Sequence, residues 1–203
     1  FFHHAFAGLN PENYVDLKSI GGRIARKLRG CPLVTKVVGD HLQGNSAVEY
    51  WSSFLHQRLE HFKGTEEDIL NVLRLSYYHL QTEQQICFRY CCIFPQDYKF
   101  LKKELVQLWI GSGLIASGIQ SLEDTAEQFL AQLTRKSFFD KKPIWAQREF
   151  YVMHDLMHEL ASNVSTGECA RIVDPVQLQD EKYTVRHLCI VNIHSFSADE
   201  VKK

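Results

Sequence analysis

Apolar residues recur at helical spacing through the first part of this chain. Leu17, Ile20, Ile24 and Leu28 fall on one stripe of the segment 13–29, and polar and basic residues fill the rest. Gly30 ends the stripe. Pro32 then opens a second helix at the position where its missing N–H costs nothing. Leu33, Val34, Val37, Val38 and Leu42 carry that helix to a stop at Gly44-Asn45. A third helix sets Val48, Trp51, Leu55, Leu59 and Phe62 on one face, and Gly64-Thr65 closes it. A fourth runs from Glu66 through Leu70, Leu73 and Tyr77. These four predict a compact helical bundle.

The second half changes character. Ile86, Phe88, Tyr90, Cys91, Ile93 and Phe94 predict a short helix over 82–94, stopped because the residue before Pro95 avoids helical geometry. Lys102 to Gly111 reads as another helix, with Leu105, Leu108, Trp109 and Ile110 as its apolar side. After glycines 111, 113 and 118 comes a longer one carrying Leu122, Ala126, Phe129, Leu130 and Leu133. Phe138-Phe139 and Phe150-Tyr151-Val152, separated by a polar turn from Lys141 to Arg148, read as two strands of a hairpin. Three helices followed by a hairpin is the layout of a winged helix. From Thr166 the chain reads as polar and irregular, except for a strand-like run at 185–191. The expected fold is therefore mainly α: a helical bundle followed by a winged helix.

Length and composition narrow the setting. With 203 residues, 45% of them hydrophobic, the chain can bury a core for one or two domains. A formal net charge of −1 gives none of the basic surplus expected of a nucleic-acid or anionic-membrane binder. No apolar run approaches the ~20 residues needed to cross a bilayer, so no transmembrane segment is expected. The six cysteines at 31, 87, 91, 92, 169 and 189 include no CxxC pair. Cys87, Cys91 and Cys92 fall in an apolar helical run, which suits small hydrophobes in a reducing, cytoplasmic compartment. Phe1-Phe2-His3-His4-Ala5-Phe6 reads as the interior of an element, which makes the chain read as part of something longer.

One stretch carries candidate chemistry. Tyr151-Val152-Met153-His154-Asp155 passes from an extended segment straight into a helix with Leu156, Leu160 and Val164 behind it, and Asp155 stands where an N-cap is expected. A histidine at such a junction is held on both sides and can be aimed at a ligand.

Four motifs stand in a fixed order along the chain. They are Gly30-Cys31-Pro32-Leu33, Leu73-Arg74-Leu75-Ser76-Tyr77, the run Cys87 to Tyr98 containing Cys91-Cys92-Ile93-Phe94-Pro95, and Met153-His154-Asp155. Leu108-Trp109-Ile110 and Gly113-Leu114-Ile115 lie between the third and fourth. This order resembles the C-terminal half of the NB-ARC module of plant NLR disease-resistance proteins of the coiled-coil class. The resemblance divides the chain into the tail of a nucleotide-binding domain (1–12), a helical subdomain (13–78), a winged-helix subdomain (79–165) and a linker (166–203) into the start of a leucine-rich-repeat region.

The resemblance implies an intracellular immune receptor with an ADP/ATP-operated switch, resting with ADP bound and opening on pathogen perception. By position, Pro32 and Leu33 would lie at the nucleotide, with Pro32 against the adenine. His154 would reach the β-phosphate of ADP, and Met153 and Asp155 would fix the junction around it. Cys31 stands where the family has leucine. No Walker A or Walker B motif is present, so magnesium would enter only through a nucleotide-binding domain outside these residues, and no catalysis is expected here. The implied partners are the protein's own nucleotide-binding domain and leucine-rich repeats, a pathogen effector or guarded host protein acting indirectly, and further copies on activation.

Three other readings compete. Gly39 to Ser46 imitates a P-loop, but asparagine replaces the lysine and the segment ends a helix, where Gly44 suits a C-cap. His154 and His158 imitate an HExxH zinc hydrolase, with aspartate in place of the general-base glutamate and no third ligand at a matching spacing. A winged helix also suggests a DNA-binding regulator. Yet from Glu83 to Glu159 nine Lys/Arg face ten Asp/Glu, and the helix over 122–136 starts with Glu123, Asp124 and Glu127, which repel phosphate. Nucleic acid is therefore not an expected partner. Arg23, Arg26, Lys27 and Arg29 read as the solvated face of the first helix.

Overall fold

The computed structural model describes residues 1–7, 14–28, 30–116, 118–143, 149–173 and 185–191. Arg29, residues 144–148 of the expected hairpin turn, residues 8–12 of the expected nucleotide-binding-domain tail, and most of the expected linker at 166–203 lie outside the described residues. The chain is mainly helical, and it divides into two compact units. Phe1–Leu80 with Arg135–Ser137 makes the first, and Gln81–Thr134 with Phe138–Lys203 the second.

The first unit is built from α1 (Phe2–Ala5), α2 (Val15–Lys27), α3 (Pro32–Leu42), α4 (Val48–Arg58) and α5 (Glu66–Tyr78). The apolar stripes face inward: Leu17, Ile24, Leu28, Val34, Leu42, Trp51, Leu59 and Leu73 are all buried. α1 packs on α3, α2 on α4, and α3 on α5. Gly39 explains how α1 comes so close. A Cβ there would lie 2.7 Å from the Cβ of His4 and 3.2 Å from the carbonyl oxygen of Phe1. His4 Nδ1 then meets Asp40 Oδ1 at 2.8 Å. Gly44, at φ +83°, follows the end of α3 in the left-handed region that glycine adopts without strain. The Gly39 to Ser46 segment is thus a helix, its exit and a packing glycine. It does not join a strand to a helix start.

α5 begins with a capping box. The Thr65 hydroxyl accepts from Asp68 N–H at 3.2 Å, and Asp68 Oδ2 accepts from Thr65 N–H at 3.2 Å and Lys63 N–H at 2.8 Å. These bonds hold the Asp68 carboxyl below its usual range, the Lys63 backbone first among them.

The second unit is a winged helix. α6 (Thr82–Tyr90) runs into a 3-10 turn (Cys91–Ile93), and Phe94 is extended at φ −84° and ψ 156° ahead of Pro95. β1 (Phe100–Leu101), α7 (Lys102–Gly111), α8 (Leu122–Arg135), β2 (Asp140–Pro143), β3 (Glu149–Val152) and α9 (Asp155–Val164) follow. The strands form one antiparallel sheet in the order β1-β3-β2, with Phe100 opposite Tyr151 and Asp140 opposite Val152. Around it Phe88, Phe100, Trp109, Leu130, Phe138, Phe139, Met157 and Leu160 make the core.

Two details differ from the sequence reading. Phe138 and Phe139 precede the first hairpin strand, which is Asp140–Pro143. Ser137 takes φ +68° and Phe138 N–H donates to Leu133 O at 2.9 Å, a helix-closing turn that drives both rings inward instead of along a strand. Phe138 meets Phe88 edge-on with ring centroids 4.9 Å apart. Second, β4 (Cys169–Ile172) pairs in parallel with β5 (His187–Ile190), so regular structure begins in a stretch that reads as irregular.

Candidate functional site

β3 delivers the chain to the junction and α9 takes it away. Met153 is 4% exposed and anchors the crossing in the core. His154 follows at φ −61° and ψ 147° as the N-cap, and its carbonyl accepts the N–H groups of Met157 and His158 at 2.9 Å each. The cap is therefore His154 and not Asp155, which is the first helical residue. Aspartate is the stronger capping residue by preference, but at the first helical position its charge still meets the positive end of the helix. There Asp155 Oδ1 accepts Leu156 N–H at 2.8 Å.

The same carboxylate contacts His154 Nδ1. Leu156 N–H also lies 3.3 Å from that nitrogen, but one Nδ1 cannot accept this bond and give a proton to Asp155 together. The shorter bond takes Leu156 N–H to Asp155, so Nδ1 carries a proton shared with the carboxylate. Nε2 is then the free end of the ring, and it becomes a donor when the imidazole is charged. The side chains of His154 and Asp155 are 44% and 57% exposed.

Around this ring lies an open cavity of about 300 Å³, lined by Gln96, Asp97, Asp140, Val152, Met153, His154 and Asp155. Asp97 sits in the turn after Pro95 at φ +60°, a conformation aspartate tolerates better than most residues. Asp140 starts β2 opposite Val152. Sequence reasoning missed both neighbours, because only the strand register and the turn bring them to His154. His158, one turn further on, packs against the 3-10 turn, its Nε2 2.8 Å from Phe94 O. Among the described residues no group of three or more His, Cys, Asp and Glu is placed to hold a metal ion.

Pro32 and Leu33 belong to the first unit. Pro32 is exposed and Leu33 half-buried at the first turn of α3, whose N-cap, Cys31, makes no side-chain capping bond. The structure thus brings Met153, His154 and Asp155 together at one junction, and sets Pro32 and Leu33 together at a separate helix start. In the same unit Arg23, Arg26 and Lys27 line a cavity of about 540 Å³ with Leu55, His56, Glu60 and Phe62. Lys27 donates to Glu60 O at 2.7 Å and Arg26 to Gly22 O at 3.1 Å, so backbone carbonyls take up part of this charge.

Comparison with known proteins fits these features. A family profile described as the Disease resistance protein Winged helix domain matches residues 93–161, which include the turn, the sheet and the His154 junction. "Putative disease resistance protein RGA4" of Solanum bulbocastanum is 32% identical over all of this chain and 21% of its own length. "Disease resistance protein RGA2" of the same species is 33% identical over 81% of this chain and 17% of its own. In Arabidopsis thaliana, "Putative disease resistance RPP13-like protein 1" is 30% identical over 91% of this chain and 17% of its own. The chain spans about a fifth of the length of such curated relatives. The matched region is a winged-helix domain and not a catalytic one. No helix among the described residues is long and apolar enough to cross a membrane. With a winged helix of the disease-resistance type and relatives of that kind along its whole length, the chain belongs to the plant disease resistance proteins of the NLR class.

Proposed function

We propose that this chain is the helical and winged-helix part of an ADP/ATP-operated switch in a cytoplasmic plant immune receptor. ADP holds the resting state, and pathogen perception in the defence response releases it. The observation that carries this reading is the His154–Asp155 pair, which holds an exposed histidine ring at Nδ1 on the strand-to-helix junction. A charged imidazole so held donates to a terminal phosphate.

The residues fit the nucleotide on both counts available. His154 offers a donor on an exposed side chain, and exposed Pro32 beside Leu33 offers an apolar surface for a base at a helix start without a side-chain cap. Asp97, Asp140 and Asp155 make the cavity around His154 a poor anion trap by itself. The remaining phosphate contacts, and any magnesium, then come from the receptor's own nucleotide-binding domain. The leucine-rich repeats, an effector or guarded host protein, and further copies on activation act on the same equilibrium.

One charge-assisted bond is worth about 1.5–3 kcal/mol net. If His154 contacts ADP only in the resting state, the bond shifts the closed-to-open ratio by about ten- to a hundred-fold. The test is the nucleotide carried by the receptor module, comprising the nucleotide-binding domain and this chain, when purified under native conditions. Stoichiometric ADP by chromatography of the released nucleotide is expected. A module without adenine nucleotide that also fails to bind added ADP contradicts the proposal.

A further inference from the structure

Cys92 and Cys169, far apart in sequence, share one cluster in the winged-helix unit. Cys92 is the middle residue of the 3-10 turn, and Cys169 is the first residue of β4. Ser165 braces both. Its Oγ lies 3.0 Å from Cys92 Sγ, and its carbonyl accepts Cys169 N–H at 3.2 Å. The 3-10 turn packs directly against β4, which places the two thiols in one cluster around Ser165. A second restraint comes from α6, where Arg89 Nη2 lies 2.9 Å from Glu168 Oε2, beside Cys169.

The neighbouring thiols behave differently. Cys87 and Cys91 are buried in the core, and burial pushes Cys87 up to about 12 and Cys91 well above the usual thiol range. Both stay protonated and inert. Cys92 is drawn the other way, because hydrogen bonds from Cys169 and Ser165 outweigh its burial. The Ser165 hydroxyl has Ser162 O at 3.0 Å as its other acceptor, so it can turn to Cys92 when that sulfur is an anion.

We propose that Cys92 and Cys169 are an oxidisable thiol pair, which a peroxide closes into a reversible disulfide joining β4 to the 3-10 turn. The Cys92 thiolate attacks one peroxide oxygen, the O–O bond breaks, and the other oxygen leaves as hydroxide or alkoxide. This gives a sulfenic acid on Cys92. The Cys169 sulfur then attacks the Cys92 sulfur. The S–S bond forms as the S–O bond breaks, and the departing hydroxyl takes the Cys169 proton as water. Two electrons pass from the thiols to the peroxide, and a thiol reductant restores the pair. Half-buried Cys169 gives a small oxidant its way in. Tyr90 already packs edge-on against His187 of β5, with ring centroids 5.1 Å apart, so the disulfide turns a packed contact of the β4–β5 pair into a covalent one. In a reducing compartment such a bond is transient, as a signal requires.

Hydrogen peroxide treatment of the chain, alkylation of residual thiols and non-reducing peptide mass spectrometry test this, with fragmentation separating Cys92 from Cys91. The expected product is a Cys92–Cys169 linked peptide, abolished by dithiothreitol and formed at least about tenfold faster in the folded chain than in urea. Cys169→Ser should leave a sulfenic acid on Cys92 that dimedone traps. Linkage between other cysteines, equal rates in urea, thiols that stay free, or no dimedone adduct on Cys92 overturns the proposal.

Discussion

His154 Nδ1 rests against the carboxylate of Asp155, its neighbour in sequence, while Leu156 N–H reaches the same carboxylate at 2.8 Å. One acidic side chain therefore aims the ring and starts the helix. Asp155→Asn keeps an oxygen for Leu156 but removes the carboxylate that holds His154 Nδ1. On the receptor module, its ADP dissociation should quicken by about three- to tenfold, less than for loss of the ring itself. Stopped-flow release of a fluorescent ADP analogue checks this, and the melting temperature should scarcely change.

Gly39 sits where α1 crosses α3, and the 2.7 Å gap to His4 Cβ leaves no room for a methyl group. Gly39→Ala should push α1 away and cost about 1–3 kcal/mol, the usual penalty of overpacking. Urea unfolding of the chain measures it. Gly22→Ala is the control, since nothing stands within 4 Å of a Cβ there.

His41 provides a pH signature. Burial, with the charge of His79 second, lowers it from 6.5 to about 4, and Lys136 and Arg58 add smaller repulsions. Tyr50 Oη lies 3.0 Å from Nε2 and can donate to the neutral ring. The folded state therefore binds its proton less readily than the unfolded chain. Its contribution is fully present above pH 6.5 and is lost as pH falls from there toward 4. After allowance for its partial exposure, about 1–2 kcal/mol should disappear between pH 7.5 and 5. His41→Gln should flatten that slope in urea titrations at the two pH values.

Thr65 closes the capping box of α5 through its hydroxyl, 3.2 Å from Asp68 N–H. Thr65→Ala should cost about 1 kcal/mol in the same unfolding assay, and Thr65→Ser much less.

Helices were the most legible part of this chain because a buried stripe repeats along each one. Leu17, Ile20, Ile24 and Leu28 mark α2, and Pro32 marks the first residue of α3. The strands gave weaker signals. β1 is two residues long, too short for any alternation, and Phe100 owes its place to pairing with Tyr151. β4 is the unremarkable run Cys-Ala-Arg-Ile, and only its parallel partner near 187–190 makes it a strand. Phe138 and Phe139 carry strand-like residues, but the left-handed turn at Ser137 sends them into the core.

The candidate site followed the same division. The Met153-His154-Asp155 junction was readable because an extended aromatic run meets an amphipathic stripe there. Which residue caps the helix was not, because Asp155 and His154 compete for one N–H. Asp97 and Asp140 were hidden because a turn and a strand register, rather than proximity in sequence, bring them to His154.

The central claim is that His154 holds ADP in the resting receptor. The most direct measurement is the ADP dissociation rate from the receptor module, comprising the nucleotide-binding domain and this chain, with His154 and with His154→Ala. Loss of one charge-assisted bond predicts release faster by about ten- to a hundred-fold, with the fold intact by circular dichroism. An unchanged dissociation rate contradicts the account.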